Sequence, residues 1–410
     1  MTARRRPAVL APSDVAKLGK RGAPWSSALA VGGRVLVAEP PWLRLADAFG
    51  ALDVLGIRDP SLREGELVVV RGRLSRGKLV GAELLERQPA RCPRGDGDVA
   101  RFLWGGVGPR LRARAHAFGV IRAYFAEQGF LEVDAPQRVR TPGLDLHVGA
   151  LCAEGGYLVT SPEFQLKRLL VGGVPRLYFL GHCFRKDEAG PLHEPEFTML
   201  EWYRAFEPPD SMLVDTEAIV ERVVTELAGK PAVRFADGGK VDVRAPFERL
   251  AVREAFRRFA GVSDAVDLAE TDEDRFFQLL VDRVEPALAR RRRPVFLCEY
   301  PSTQASLAAK NDADPRVADR FELYVGGVEL SNGFRELTDA REQRARFRAD
   351  QRMRRRSKKP VYQLDERFLG ALEEGLPPST GNALGVDRLI ALALGESRID
   401  ASIAFPDSLL

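Results

Sequence analysis

Two adjacent glycines, Gly326 and Gly327, constrain the folding of this chain more than any other pair of residues. They stand between Phe321-Glu322-Leu323-Tyr324-Val325 and Val328-Glu329-Leu330, and a Gly-Gly pair between two β-prone runs predicts a two-residue hairpin. If Val325 faces Val328, Tyr324 opposes Glu329 and Glu322 opposes Ser331, while Phe321 pairs with Asn332 and Leu323 with Leu330 on the other face. Glu322 and Glu329 then share a face, their backbones diagonal and roughly 7–8 Å apart. Like charges so placed repel unless a cation lies between them, and hard oxygen donors of this kind suit Mg²⁺. From spacing alone, a solvated strand face with two unrelated glutamates reads equally well.

Beyond the hairpin, Gly333 allows a bend or bulge, and Asp339 with Glu342 resembles a capping box that opens a helix. Glu336 is therefore expected at a strand end, facing a pocket or paired at the surface with Arg335 or Arg341.

A second constellation runs from Phe184-Arg185-Lys186-Asp187-Glu188 through a Gly-Pro loop to His193-Glu194-Pro195-Glu196, then Phe197 to Tyr203. It reads as two strands joined by a loop, and alternation puts Phe197, Met199, Glu201 and Tyr203 on one face. That face could hold a base and an ammonium group. The Arg185 fork matches phosphate oxygens, where charge builds up when a carboxylate attacks a phosphoryl group. An ordinary hairpin with a Phe/Met core face is the competing reading. A third segment, Gly381-Asn382-Ala383-Leu384-Gly385-Val386-Asp387-Arg388-Leu389, reads as a Gly-rich loop before an apolar helix. Arg388 could grip a phosphate or stack on a base there, or pair locally with Asp387.

Composition sets the frame for these segments. With 45% hydrophobic and 29% charged residues, the 410-residue chain supports one large domain and a small one. No apolar run reaches the roughly 18 residues of a membrane span, and the start at Arg4-Arg5-Arg6 lacks the apolar core of a signal peptide, so a cytoplasmic protein is expected. The net charge of +4 permits acidic partners without demanding them. The run Arg352 to Lys359 reads equally as an anion-binding patch or an exposed loop. Cys92, Cys152, Cys183 and Cys298 are scattered, which argues against a zinc ribbon or a disulfide framework.

Residues 1–30 read as an N-terminal extension, and residues 31–88 as a small all-β domain of five short strands with an OB-like pattern. These strands are Arg34–Ala38, Trp42–Leu45, Leu52–Ile57, Glu66–Leu74 and Lys78–Leu85. Residues 89–109 read as a linker. Residues 110–410 form an α+β domain, an antiparallel sheet flanked by helices, opening with helix Arg110–Gln128 and an extended segment to Pro136.

Together these segments resemble the class II aminoacyl-tRNA synthetases, in the lysyl branch of that family. The resemblance is carried by Thr160-Ser161-Pro162-Glu163, Lys167-Arg168-Leu169-Leu170, Pro195 to Arg204, Gln304 to Ala308, Glu329 to Gln343 and Ala383 to Leu389. Within the branch it is closest to the ligases that attach β-lysine to elongation factor P. It implies ATP-dependent activation of lysine or β-lysine as an adenylate, followed by transfer to a lysine side chain of that factor. The runner-up is charging of a tRNA with lysine. A non-catalytic nucleotide- or RNA-binding paralogue is a third reading.

The resemblance also implies roles for individual residues. Arg185 grips the ATP α-phosphate, Phe197 and Arg388 sandwich adenine, and Asp187, Glu194, Glu329, Leu330 and Gly385 complete the ATP site. Glu322 and Glu329 hold Mg²⁺. Ser161, Pro162, Glu163 and Glu201 surround the substrate amino group, Tyr203 and Glu336 take the side-chain ammonium, and Ala383 stands at the pocket floor. The helix and strand after residue 110 imply a homodimer. Three features depart from the family pattern: Asp187 where Glu is usual, Glu194 where Asn is usual, and an N-terminal β domain that the β-lysine ligases lack. Ala383 matches those ligases, where lysyl-tRNA synthetases generally have Gly.

Overall fold

The computed structural model describes residues 8–20, 27–90, 95, 97–146, 148–235 and 238–410. Arg4 to Arg6, Cys92 and parts of the N-terminal extension and linker lie outside the described residues. The chain divides into two compact units, Met1–Arg112 and Ala113–Leu410.

The first unit is built on a six-stranded sheet: a two-residue strand, Val9–Leu10, runs parallel to the first of five longer strands, β1 (Leu29–Glu39), β2 (Trp42–Asp47), β3 (Gly50–Leu55), β4 (Leu67–Ser75) and β5 (Lys78–Gln88). They pair in the order β1-β2-β3-β5-β4, and β4 returns to β1 from Leu29↔Gly72 to Arg34↔Leu67, which closes an OB-like barrel. Closure removes exposed strand edges, and alternate residues such as Val31, Leu43, Leu45, Val54, Val70 and Leu79 fill the interior. The strands fall where alternation predicts them; β1, β2 and β5 run longer than expected, β3 starts two residues earlier and stops at Leu55, and β4 is shifted by one residue.

The second unit is α+β. Helix α1 (Val107–Glu127), which belongs to this unit from Ala113 on, leads to β6 (Leu131–Glu132), helix α2 (Glu163–Val171), and the long pair β7 (Arg176–Phe184) and β8 (Glu196–Ala205). After helix α3 (Asp210–Ala228) come β9 (Glu248–Ala251), β10 (Val295–Pro301), β11 (Val317–Val325) and β12 (Val328–Arg335). Helices α4 (Ala340–Arg356) and α5 (Glu366–Gly375), strand β13 (Ser379–Gly385) and helix α6 (Val386–Leu394) follow. The eight strands form one sheet in the order β9-β10-β11-β12-β13-β8-β7-β6, antiparallel except at β6–β7 and β9–β10.

Period-two alternation along β8 splits the core between the two sheet faces. Leu200 and Trp202 pack with Ile219 and Val220 of α3 and Leu389 and Ile390 of α6. Met199 and Tyr203 face the other way, with Phe164 of α2, Phe347 of α4 and Phe368 of α5. Glu201 shares that second face, which carries the cavity described below.

Two expectations require correction. Residues 379–385 are a central strand rather than a loop, bonded to β8 on one side and β12 on the other. The hairpin turn is as expected, with Gly326 at φ 59° and Gly327 at φ 84°, but its register holds only for the first pairs. A bulge after Tyr324↔Glu329 places Leu323 opposite Ser331 and Glu322 opposite Asn332. One extra residue reverses the facing of everything beyond it. The Ser331 hydroxyl meets Asn382 Nδ2 at 3.3 Å, and Asn332 lines the cavity together with Ser331.

Candidate active site

A cavity of about 310 Å³ lies on the second face of the large sheet, walled by β8, β12, β13, the start of α2 and the segment after β7. Strand alternation brings Phe197, Met199, Glu201 and Tyr203 to it from β8, and Gly381, Ala383 and Gly385 from β13. Cross-strand pairing sets Ala383 beside Glu201 on one side and Asn332 on the other. A side chain at Gly381 would place Cβ 2.3 Å from Tyr203 Cε1 and 2.6 Å from Glu336 Oε1, so the floor there has to be bare backbone.

One end of the cavity is acidic. Ser161 Oγ and Tyr203 Oη each donate to Glu201 at 2.7 Å. Helix α2 begins at Glu163, and one turn later Lys167 Nζ donates to Glu163 Oε1 at 2.6 Å. The same ammonium pairs with Glu336, whose carboxylate otherwise accepts no hydrogen bond from any described group. Burial, followed by the charge of Glu163, pushes Glu201 up to about 7. Glu336 is pushed up to about 8 by burial, against the opposing charge of Lys167. Burial also works against the charge of Lys167, but Glu163 and then Glu336 outweigh it and hold its pKa above the ordinary value. When all are ionised, three carboxylates face one ammonium. The excess negative charge suits a ligand with two ammonium groups.

The other end is basic. Arg185 lies over the Phe197 ring, 5.1 Å from its centroid, and its Nε is buried without a hydrogen-bond partner. Its Nη1 is 3.6 Å from Glu188. Arg388 donates to the backbone oxygens of Glu329 (2.8 Å) and Leu192 (3.1 Å) and meets His193 Nε2 at 2.7 Å. Burial and then Arg388 hold the His193 pKa below its ordinary value, so the neutral ring can accept from the guanidinium. Asp387 does not pair with Arg388. Its carboxylate accepts the backbone N–H of Thr198 at 2.7 Å and pairs with Arg114 of α1, which anchors the start of α6.

The residues expected to hold a metal fit one in part. Burial, then repulsion from Glu322, pushes Glu329 up to about 7, against the opposing charges of Arg388, Arg320 and Arg185. Glu322 stands behind the cavity wall and is already well held. Arg320 Nη2 donates to it at 2.6 Å, Tyr324 Oη at 2.9 Å, and Tyr300 Oη also donates. Among the described residues no group of three or more acidic, histidine or cysteine side chains could hold a metal ion, so a cation here would draw further ligands from the substrate's phosphates.

The cavity brings together Ser161, Glu163, Arg185, Glu194, Phe197, Glu201, Tyr203, Glu329, Leu330, Glu336, Ala383, Gly385 and Arg388. Pro162, Asp187 and Glu322 stand outside its wall. Pro162 is buried as the residue before α2, and Asp187 has left-handed backbone (φ 63°) and is exposed, so Glu188 lines the cavity in its stead. Glu194 is directed in part to the chain end, accepting the Asp407 N–H at 3.0 Å. Sequence reasoning missed Arg320 and assigned Lys167 no role. The Glu163–Lys167 spacing of four on a helix was the available signal for Lys167. Arg320, on β11 two residues before Glu322, offered none.

The fold and site define a class II synthetase. Residues 106–409 match the family model of tRNA synthetases class II (D, K and N), and the chain belongs to that family. It is 43% identical over 310 residues to a Proteus mirabilis (strain HI4320) protein named elongation factor P–(R)-β-lysine ligase, covering 72% of this chain and 94% of that one. A protein of the same name from Edwardsiella ictaluri (strain 93-146) is 42% identical over 322 residues, covering 75% and 98%. One from Yersinia enterocolitica is 40% identical over 311 residues, covering 72% and 94%. The five barrel strands precede the family match.

Proposed function

We propose that this enzyme activates lysine or β-lysine with ATP and transfers it to a lysine side chain of translation elongation factor P. The observation that carries this reading is the trio of buried Glu201 and Glu336 with half-buried Glu163 around Lys167, opposite Arg185 and Arg388 in the same cavity. The acids take the ammonium groups of a lysine-type substrate, with Glu336 the open acceptor at the deep end. The arginines face the phosphates, and the substrate carboxylate is held between them for in-line attack on the α-phosphorus. The products are an aminoacyl-adenylate and pyrophosphate, and a neutral acceptor amine then displaces AMP. Charge placement and orientation carry the rate, with no covalent enzyme intermediate.

When bound, Mg²⁺ would neutralise developing phosphate charge, with Glu329 as its ligand and Glu322 behind it. The residue types fit a cytoplasmic enzyme, and no helix among the described residues is long and apolar enough to cross a membrane. Helix α1 with β6 is the surface for a homodimer in this reading. The closed N-terminal barrel favours a second reading, a tRNA as acceptor. Pyrophosphate exchange with lysine and with β-lysine tests activation, and absence of exchange with either ends both readings. Offering elongation factor P and tRNA to the same reaction separates the two, and acylation of tRNA alone refutes the first.

A further inference from the structure

Helix α4 carries eight arginines and two carboxylates in seventeen residues, and its charge is concentrated at its C-terminal end. Cations favour a helix C-terminus, but the gain falls off within one turn, and neighbouring like charges repel. The end of α4 exceeds what the helix itself uses. Arg352, Arg355, Arg356 and Lys358 are exposed, and their side chains make no ion pair or hydrogen bond with any described residue. One arginine in their midst does the opposite. Arg354 is 1% exposed, lies over the Tyr362 ring at 4.5 Å, and donates to the backbone oxygens of Leu144 (3.2 Å), Asp145 (2.6 Å) and Val148 (2.5 Å). Lys359 Nζ adds Leu146 O at 3.0 Å.

Those bonds fix the position of the basic cluster. Leu144, Asp145 and Val148 line the cavity, and Asp145 is also exposed, so it marks the rim. Arg354 faces that rim, so the free cations at neighbouring positions project from the solvent side of the same helix end, within about one helix diameter of the segment that borders the cavity. Met353 and Val361, each 36% exposed, lie among them, while Tyr362 is buried. Arginine mixed with exposed methionine and aliphatic surface suits a protein partner, whereas single-stranded RNA would draw on exposed aromatics for stacking.

Building on the function proposed above, we infer that the acceptor protein docks through an acidic face on Arg352, Arg355, Arg356 and Lys358, which brings its target amine to the cavity mouth. The test uses the full-length enzyme and its combined variant Arg352→Glu, Arg355→Glu, Arg356→Glu, with elongation factor P as the probe. Lysine-dependent pyrophosphate exchange should stay within about twofold, because charges at a rim act on encounter rather than on pocket chemistry. The KM for elongation factor P should rise at least about tenfold, and the increase of the wild-type KM with salt should flatten in the variant. A triple Arg→Lys variant should keep most of the wild-type behaviour. An unchanged KM in the triple Glu variant overturns the docking inference alone. Loss of exchange in that variant also overturns it, by assigning the arginines to the pocket. Competition by tRNA in the wild type but not in the variant overturns it in favour of RNA. If the wild type leaves elongation factor P unmodified, the proposed function fails first and the docking inference fails with it.

Discussion

The ammonium of Lys167 is paired with the carboxylate of Glu336, and the two side chains are 1% and 0% exposed. They are far apart in sequence, one on helix α2 and the other just past strand β12. Lys167 also holds Glu163, so a single internal cation serves two acids of the cavity. This leaves Glu336 ionisable yet undersupplied with donors, as the proposed role of accepting a substrate ammonium requires.

Replacing Glu336 with Gln should raise the KM for lysine by roughly 10- to 150-fold, the equivalent of about 1.5–3 kcal/mol for one charged hydrogen bond. The fold should persist, since Lys167 keeps Glu163. Steady-state pyrophosphate exchange with circular dichroism as the fold control measures this, and an unchanged KM would exclude Glu336 from the substrate site.

The same acid links stability to pH. Its folded pKa is raised to about 8 from an ordinary 4.5. A raised acid contributes stability that is fully present below its unfolded pKa and is lost as pH rises through the folded one. Unliganded wild type should therefore lose stability relative to Glu336→Gln between pH 4.5 and about 8, while lysine should bind more tightly over the same rise. Urea unfolding midpoints of both proteins across that window give the answer, and a constant difference between them would contradict the buried-acid assignment.

Glu329→Gln should abolish Mg²⁺-dependent adenylation while leaving the thermal midpoint unchanged or slightly higher. Its carboxylate is half-buried near Glu322, and removing one of two like charges relieves repulsion. Normal exchange activity in this variant would refute the metal assignment.

Gly381→Ala probes the pocket floor from below. The new methyl would collide with Tyr203 and Glu336, so lysine affinity should fall, and stability should drop by about 1–3 kcal/mol, as expected for overpacking. Exchange kinetics together with denaturant unfolding separate the two effects, and a variant with wild-type lysine KM would show that the floor can yield.

Ala383→Gly should shift preference from β-lysine toward lysine, because the methyl sits between Glu201 and Asn332 where the substrate amino group would lie. One methyl provides about 1–3 kcal/mol of discrimination, so the ratio of kcat/KM values should move by roughly 5- to 150-fold. Exchange assays with both isomers measure it, and a fixed ratio would place specificity elsewhere.

Local rules made much of the fold and site legible before any coordinates. Period-two alternation put Phe197, Met199, Glu201 and Tyr203 on one face, and they line the cavity together. Gly326-Gly327 set the turn, and Asp339 caps helix α4 by accepting from Arg341 and Glu342. The second half of the capping box is absent among the described bonds, because Glu342 pairs with Arg346 one turn on. The strand-rich start closed as a barrel because alternation and turn residues are properties of neighbouring positions.

By itself, the sequence determined which residues share a strand face, where turns fall and which helix starts are capped, since each depends on side chains a few positions apart. Tertiary structure alone decided the rest. The bulge at Leu330 set Asn332 rather than Ser331 opposite Glu322, Glu188 displaced Asp187 from the wall, and Arg320 closed on Glu322. Lys167 was set between two acids from separate elements. These outcomes depend on which side chain best satisfies a buried charge once distant segments are packed together, and only the packed chain brings those partners within reach.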